Sequence, residues 1–193
     1  MNKKLKRSIN FSLTIAVITF VLAAIFSVIS SSLLSKVDWE IGLLIVFIII
    51  IIGILFDMLG IASTAADEAP FHAMASEKVK GAKEAVIIIK NADRFSSFSN
   101  DVIGDISGIV SGTATVVVVL NIANLLNQAE GSLTEITLNV FLTSLVAALT
   151  VGGKAIGKFF AINHSISIIM FAGKIISIIE GNLKIKIFPR TKR

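Results

Sequence analysis

The chain has 193 residues, of which 54% are apolar (AVILMFWYC) and only 16% are charged, with a net charge of +5. An average soluble domain is about 45–50% apolar and about 25% charged, so this composition excludes a disordered chain and argues strongly against a soluble globular domain. The absence of cysteine excludes disulfides, thiolate metal sites and cysteine nucleophiles.

Four apolar runs are long enough to cross a hydrocarbon core about 30 Å thick, which takes about 20 residues of α-helix. The runs are residues 9–34, 41–62, 102–126 and 133–156. Short links join the first run to the second and the third to the fourth, so we expect two helical hairpins. We therefore predict an all-α membrane protein with about four transmembrane helices.

The first run follows the basic segment MNKKLKR and could be read as a signal peptide. Its apolar stretch is longer than the 7–15 residues typical of a signal sequence, and no small-x-small cleavage site follows it. We therefore predict a retained membrane anchor.

The positions of the basic residues predict the orientation. Lys36 is the single basic residue in a hairpin link, whereas the other 17 of the 18 lie before the first run, between the second and third, or from Lys154 onward. By the positive-inside rule we expect a multi-pass protein of the cell (plasma) membrane with both termini in the cytoplasm. The basic tail at 181–193 predicts contact with anionic lipid rather than with nucleic acid.

Two juxtamembrane amphipathic helices are also predicted. The first begins near Pro70 and continues for about five turns to residue 90, because its apolar residues recur every three or four positions. We expect Asp93 to cap the helix that follows.

The second covers 159–179. This stretch could form a fifth span, but a span would carry the basic tail outside, and a polar stripe runs along it at helical spacing. The stripe is Asn163, Ser167, Lys174 and Ser177. The pattern favours a helix in the plane of the interface.

Charged side chains within the spans are functional candidates by default. Asp57 lies in the second run, and Thr64 and Glu68 would share its helix face if the helix continued that far. Lys154, near the end of the fourth run, either extends to the interface or pairs with Asp57 or Asp105. His72 and His164 are too isolated to indicate a metal site.

Small residues surround Asp105. Gly104, Gly108 and Gly112 recur every four residues, which is typical of close helix packing. Glycines also expose carbonyl oxygens, and Ser107 adds a hydroxyl, so the same residues could contribute ligands to a hard cation.

Four stretches resemble the membrane domain of the cyclin M/CorC magnesium transporters. VKGAKEAVIIIKNADRF (79–95) resembles a segment of that family that ends in N-P-D-R-F. Its S-x-x-E-x-A, I-G-N and G-E-I-x-P-K elements are similar to IASTAADEA (61–69), IGD (103–105) and GKAIGK (153–158).

The resemblance implies three spans with juxtamembrane helices in a homodimer that conducts or exchanges divalent cations such as Mg²⁺. It implies an extra span at 1–40, a family-like domain at 41–180 and a tail at 181–193. Its ion-site positions fall on Ala65, with Ser63 and Thr64 beside it, and on Glu68, Asp105 and Lys154.

Lys154 stands where that family has a glutamate. A fixed positive charge repels a cation, so we predict that Lys154 pairs with Asp105 in place of the metal. The leading expectation is an ion transporter with no cofactor beyond the transported ion. The alternative is a transport-inactive structural or regulatory subunit. An enzyme is not expected, because motifs such as HExxH and GxSxG are absent.

Overall fold

A computed structural model of the protein describes residues 3–129 and 131–183, and every regular element within these residues is helical. The α-helices are α1 (Lys3–Leu34), α2 (Trp39–Ala65), α3 (Ala69–Ser76), α4 (Ala82–Lys90), α5 (Ala92–Ser96), α6 (Asp105–Leu125), α7 (Leu133–Asn163) and α8 (Ser165–Leu183). A π-helical segment, Ser97–Gly104, joins α5 to α6. The predicted all-α class is confirmed. The basic residues of the tail, at 184–193, lie outside the described residues.

Five helical stretches are long and apolar enough to cross a membrane: Ser8–Leu34, Trp39–Ala65, Ala92–Leu125, Leu133–Asn163 and Ser165–Asn182. The first four contain most of each predicted run, and the fifth belongs to α8. The chain is therefore a multi-pass integral membrane protein. The interfacial position of α8 remains a prediction.

The helices form two compact units. The first unit consists of described residues up to 55 together with 101–155, and α1 packs along α6 within it. Leu34 and Val118 are fully buried in its core. The Asn121 side-chain amide donates hydrogen bonds to the carbonyl oxygens of Leu34 (3.3 Å) and Val37 (3.4 Å), which holds the end of α1 against α6.

The second unit consists of residues 56–100 together with described residues from 156 onward. Its core forms where α4 packs against α8, with α3 in contact with both. Phe71, Ile88 and Ile169 are fully buried there. Pro70 lies in the first turn of α3, as predicted.

The juxtamembrane segment is two helices rather than the predicted single helix of five turns. The chain leaves helical geometry between Ser76 and Ala82, where Lys78 has φ 60° and Gly81 has φ 88°. A Cβ on Gly81 would lie 2.5 Å from the backbone nitrogen of Lys174. The break therefore lets the chain pass directly against the backbone of α8, which a continuous helix would prevent.

The prediction that Asp93 caps the next helix is wrong. Asn91 occupies the N-cap position of α5, and its side chain makes no capping hydrogen bond. The Asn91 side-chain amide instead donates to the carbonyl oxygen of Ile87 (2.9 Å), so the polar side chain completes the last turn of α4.

Close helix packing in the first unit occurs at glycines of α2 rather than at Gly108 and Gly112. A Cβ on Gly53 would lie 2.7 Å from the Ser107 Cβ and 3.5 Å from the Gly104 carbonyl oxygen. Apart from the neighbouring backbone of α6 itself, no atom of the described residues lies within 4 Å of a Cβ built on Gly108 or Gly112. These two glycines therefore make no close contact with another described helix, and a contact with a second copy remains a prediction.

The two kinds of glycine position predict opposite responses to an added methyl group. Gly53→Ala should lower the free energy of unfolding by about 1–3 kcal/mol, because the Ser107 Cβ leaves no room for a methyl group. In the monomer, Gly108→Ala should leave it unchanged or raise it slightly, since alanine favours helix and the position is open to the described residues. Thermal unfolding of the detergent-solubilised protein measures both variants, and equal losses would contradict the packing described here.

Candidate functional site

Lys154 of α7 and Asp105 of α6 form an ion pair in the first unit. The Lys154 Nζ donates a hydrogen bond to the Asp105 Oδ1 over 3.2 Å. The Lys154 side chain is 18% exposed and the Asp105 side chain 63%. Of the two carboxylates that sequence analysis considered as partners, Asp105 is in direct contact with Lys154.

Each member of this pair lies about one hydrocarbon thickness from the hairpin link that joins α6 to α7. Asp105 is the first residue of α6, and Leu125, its last residue, lies about 30 Å away along the helix. Lys154 follows Leu133, the first residue of α7, by about 32 Å. A straight span that begins at the link would therefore reach the far edge of a core about 30 Å thick near each of the two charges.

The pair neutralises two groups that are costly to remove from water separately, each by several kcal/mol. The pair also determines how easily a metal cation can bind at the Asp105 carboxylate. Because a tethered ammonium lies beside the Asp105 carboxylate, a metal cation approaching that oxygen would have to displace the lysine or be repelled by it.

A second set of polar side chains lies in the second unit, on α2 and on the π-helical segment. We call Asp57, Ser63, Ser99 and Asn100 the buried polar cluster, because the first three residues and the Asn100 Oδ1 are buried. Asp57, Ser63 and Ser99 are buried, with 6%, 1% and 1% of their surfaces exposed. Gly60 lacks a side chain at the point where the Asn100 amide contacts α2. A larger residue at position 60 would exclude the amide, so Gly60 admits Asn100 to the cluster.

The side-chain oxygens of Ser63 and Asn100 differ in whether they have a hydrogen-bond partner. The Ser63 hydroxyl donates to the carbonyl oxygen of Gly60 (2.7 Å). The Asn100 Oδ1 is buried and accepts no hydrogen bond from the residues that the structure describes. An orphaned buried acceptor of this kind is costly and can be satisfied by water or by a cation.

Ser99 and Asn100 were not predicted from the sequence as candidate site residues. Both lie in the π-helical segment, and π-helices are rare and frequently found at functional sites. Two signals were available: the polar run SSFSN, which only Asp101 separates from an apolar run, and Gly60, a glycine within an apolar span.

Thr64 lies within α2 on the Asp57 face but is exposed, whereas Glu68 does not extend that face. The helix ends at Ala65, so Glu68 lies beyond it. The Thr64 hydroxyl is exposed and donates to the carbonyl oxygen of Ile61 (2.9 Å). A terminating helix thus separates Glu68 from the cluster that contains Asp57.

Glu68 instead belongs to an exposed charge cluster. Its Oε1 lies 2.7 Å from the His72 Nε2 and 3.8 Å from the Lys90 Nζ. The hydrogen bond with His72 is the main cause that holds the pKa of the Glu68 carboxyl below its ordinary value, and attraction to His72 and Lys90 adds to it. The carboxyl therefore stays ionised at neutral pH, and this cluster is lost as the pH falls through that lowered pKa.

The described part of the chain contains no group of three or more histidine, aspartate or glutamate side chains placed to hold a metal ion. A cation held by the described residues would therefore depend on hydroxyl, amide and carbonyl oxygens with at most two carboxylates. Ser107 is placed less favourably than expected for this role, since its hydroxyl donates to the carbonyl oxygen of Ile103 (2.8 Å) and its Cβ packs toward Gly53.

In comparisons with known proteins, no family model, no curated protein and no solved structure matches this chain.

The Asp105–Lys154 pair predicts a measurable coupling between the two residues. In a double-mutant cycle with Asp105→Asn and Lys154→Met, we expect a coupling free energy of about 1 kcal/mol, the upper end for partly exposed pairs, because the Lys154 side chain is mostly buried. Lys158→Met is the matched control, since Lys158 is exposed one turn further along α7 and should not couple to Asp105. A coupling of zero for Lys154 would mean that the pair does not form.

Proposed function

We propose that this protein is a cation-transport domain of the cyclin M/CorC type, with Mg²⁺ or a similar hard divalent cation as the transported ion. The observation that carries the proposal is the ion pair between Asp105 and Lys154. The resemblance assigns ion-site positions to these two residues, and they are 49 positions apart in sequence yet 3.2 Å apart in space.

The buried polar cluster supports the same function. Carboxylate, amide and hydroxyl oxygens are the ligands that hard cations prefer, and Asp57, Ser63 and Asn100 supply one of each. A buried aspartate in a spanning helix is costly and therefore typical of an ion or proton pathway. The orphaned Asn100 oxygen would gain a partner from a passing cation or its hydration water.

For the topology, we propose four spans with α8 in the plane of the interface. The buried face of α8 packs against α4 and α3, which contain nine and eight residues. Helices of that length extend only about 12–14 Å and cannot cross a core of about 30 Å. A helix covered by two such partners fits the membrane surface, and four spans place both termini on the cytoplasmic side.

For the assembly, we propose a homodimer. Gly108 and Gly112 lie on a face of α6 that has open space within the chain. Two glycines four residues apart allow a second helix to approach closely, and this face would suit α6 of another copy. The basic tail would contact anionic lipid headgroups.

The ion pair also favours a second candidate, a transport-inactive structural or regulatory subunit. An ammonium that lies 3.2 Å from the Asp105 carboxylate supplies part of the positive charge that a bound cation would supply. If the lysine never leaves, the domain would hold one conformation and carry no ion.

Reconstituted flux distinguishes the two candidates. If the protein transports Mg²⁺, liposomes containing it should take up Mg²⁺ faster than protein-free liposomes, and Asp57→Asn should reduce the rate at least tenfold, because the buried carboxylate is removed from the pathway. Flux equal to that of protein-free liposomes would reject the transporter.

Lys154→Glu tests the inactive subunit by thermal unfolding with and without millimolar Mg²⁺. If the lysine replaces the cation, Lys154→Glu should create stabilisation by Mg²⁺ that the wild type lacks, since it removes the tethered charge and adds a carboxylate. Lys158→Glu changes the net charge equally at an exposed position of α7 and should show no such gain. A strong effect of Mg²⁺ on the wild type would argue against the inactive subunit.

The topology is tested by single cysteines, which have no background because the chain has none of its own. An impermeant maleimide should label Lys36→Cys on intact cells, whereas Arg193→Cys should react only after permeabilisation. Labelling of Arg193→Cys on intact cells would mean that α8 crosses the membrane.

A further inference from the structure

The first unit contains a cavity of about 270 Å³ between α1, α2 and α6. Its wall consists of apolar side chains from residues 26–33, 45–52 and 103–110, with two serines among them. Cavities lined in this way bind apolar molecules in preference to water, so the lining indicates a ligand with an apolar body.

The cavity lies within the hydrocarbon region and opens toward lipid. Ile49, one of its lining residues, follows Trp39 at the start of α2 by about 15 Å, half of a core about 30 Å thick. Phe26, Leu33 and Ile52 line the cavity and are also exposed on the surface of the unit. A molecule dissolved in the bilayer can therefore reach the cavity without crossing water.

Ser30 gives the cavity a specific polar atom. Its residue is only 7% exposed, and its hydroxyl has no hydrogen-bond partner among the described residues. A serine or threonine in a helix usually donates to a carbonyl oxygen one turn earlier, as Thr14 does to Asn10 in the same helix (2.8 Å). Ser107, the other serine on the wall, donates to Ile103, so the Ser30 hydroxyl is left for a ligand.

We propose that this cavity binds an uncharged amphiphile, with an apolar body that fills the space and one alcohol or ketone oxygen that hydrogen-bonds to the Ser30 hydroxyl. A charged headgroup would be left unpaired beside Ile and Phe side chains, which excludes ions and phospholipid headgroups from the cavity. The site does not depend on ion transport and uses none of the ion-pair residues.

Photolabelling in lipid nanodiscs tests the site with an octanol that carries a photoreactive diazirine. We expect labelling concentrated in residues 26–33, 45–52 and 103–110. Unlabelled 1-octanol should compete at about a fivefold lower mole fraction in the bilayer than octane, because only the alcohol can bond to Ser30. Labelling spread evenly over all exposed apolar surfaces would overturn the proposal.

Variants at Ser30 separate the hydrogen bond from the cavity. Ser30→Ala should remove the preference for octanol over octane while leaving the labelled segments the same, and Ser30→Leu should fill the space and reduce labelling at least fivefold. Ser32→Ala is the matched control, because Ser32 is exposed two residues away, and it should keep the full preference. A Ser30→Ala protein that still prefers octanol fivefold would contradict the assignment.

Mass spectrometry of molecules extracted from the purified protein identifies the source of the ligand. An alcohol or ketone that co-purifies with the wild type and is missing from Ser30→Leu supports a ligand drawn from the membrane. Octanol-specific labelling without such a molecule supports a ligand that enters from outside the bilayer.

Discussion

The thickness of the hydrocarbon core is the constraint on which the rest of this structure depends. Within about 30 Å of lipid no water is present to satisfy a polar group, and a charge is tolerated only where it is partnered or near the edge. In α6 and α7 the paired charges, Asp105 and Lys154, come about 30 Å and 32 Å from the ends that face their shared hairpin link. Asp57 follows the start of α2 by about 27 Å. In α2, α6 and α7 the charged residue thus lies about one core thickness from one end of the helix. The apolar residues between that end and the charge are available for packing against other helices.

Close packing between two of these helices depends on which helix contributes the small residue. Close approach needs a missing side chain on one helix opposite a Cβ on the other, as at Gly53 and Ser107. Gly108 and Gly112 form the more familiar motif, yet the other described helices leave open space beside them. A small-residue repeat indicates that a helix can be approached closely but does not identify the partner. An isolated glycine such as Gly53, in a run of isoleucines, is not part of a sequence motif. Its role in helix packing is recognised only from the tertiary structure.

The spans could be predicted because they follow from local apolar length. The Asp105–Lys154 contact could be predicted in part: the cost of an unpaired charge in lipid pointed to Asp57 or Asp105 as the partner of Lys154, and the resemblance singled out Asp105. The break between α3 and α4 could not be predicted. The apolar period continues through residues 77–81, so the pattern alone favours one helix, whereas the left-handed conformation of Gly81 reflects contact with the backbone of α8. The π-helical segment was also missed, because a π-helix and an α-helix differ by one residue in hydrogen-bond spacing and leave similar sequence patterns. Ser99 and Asn100 therefore enter the candidate site only through tertiary structure.

Under the proposed function, the Asp105–Lys154 pair makes the choice between transporter and inactive subunit depend on one free-energy difference. A divalent cation is attracted to the Asp105 carboxylate by twice the charge of an ammonium, but Mg²⁺ gives up its hydration water reluctantly. The lysine is tethered to α7 and so competes at a high effective concentration. Each 1.4 kcal/mol in favour of the lysine lowers the cation-bound fraction about tenfold. If the preference is small, the pair is a closed state that a cation can open. If the preference amounts to several times 1.4 kcal/mol, the same contact holds the domain in one conformation. The geometry of the ion pair is the same in both cases.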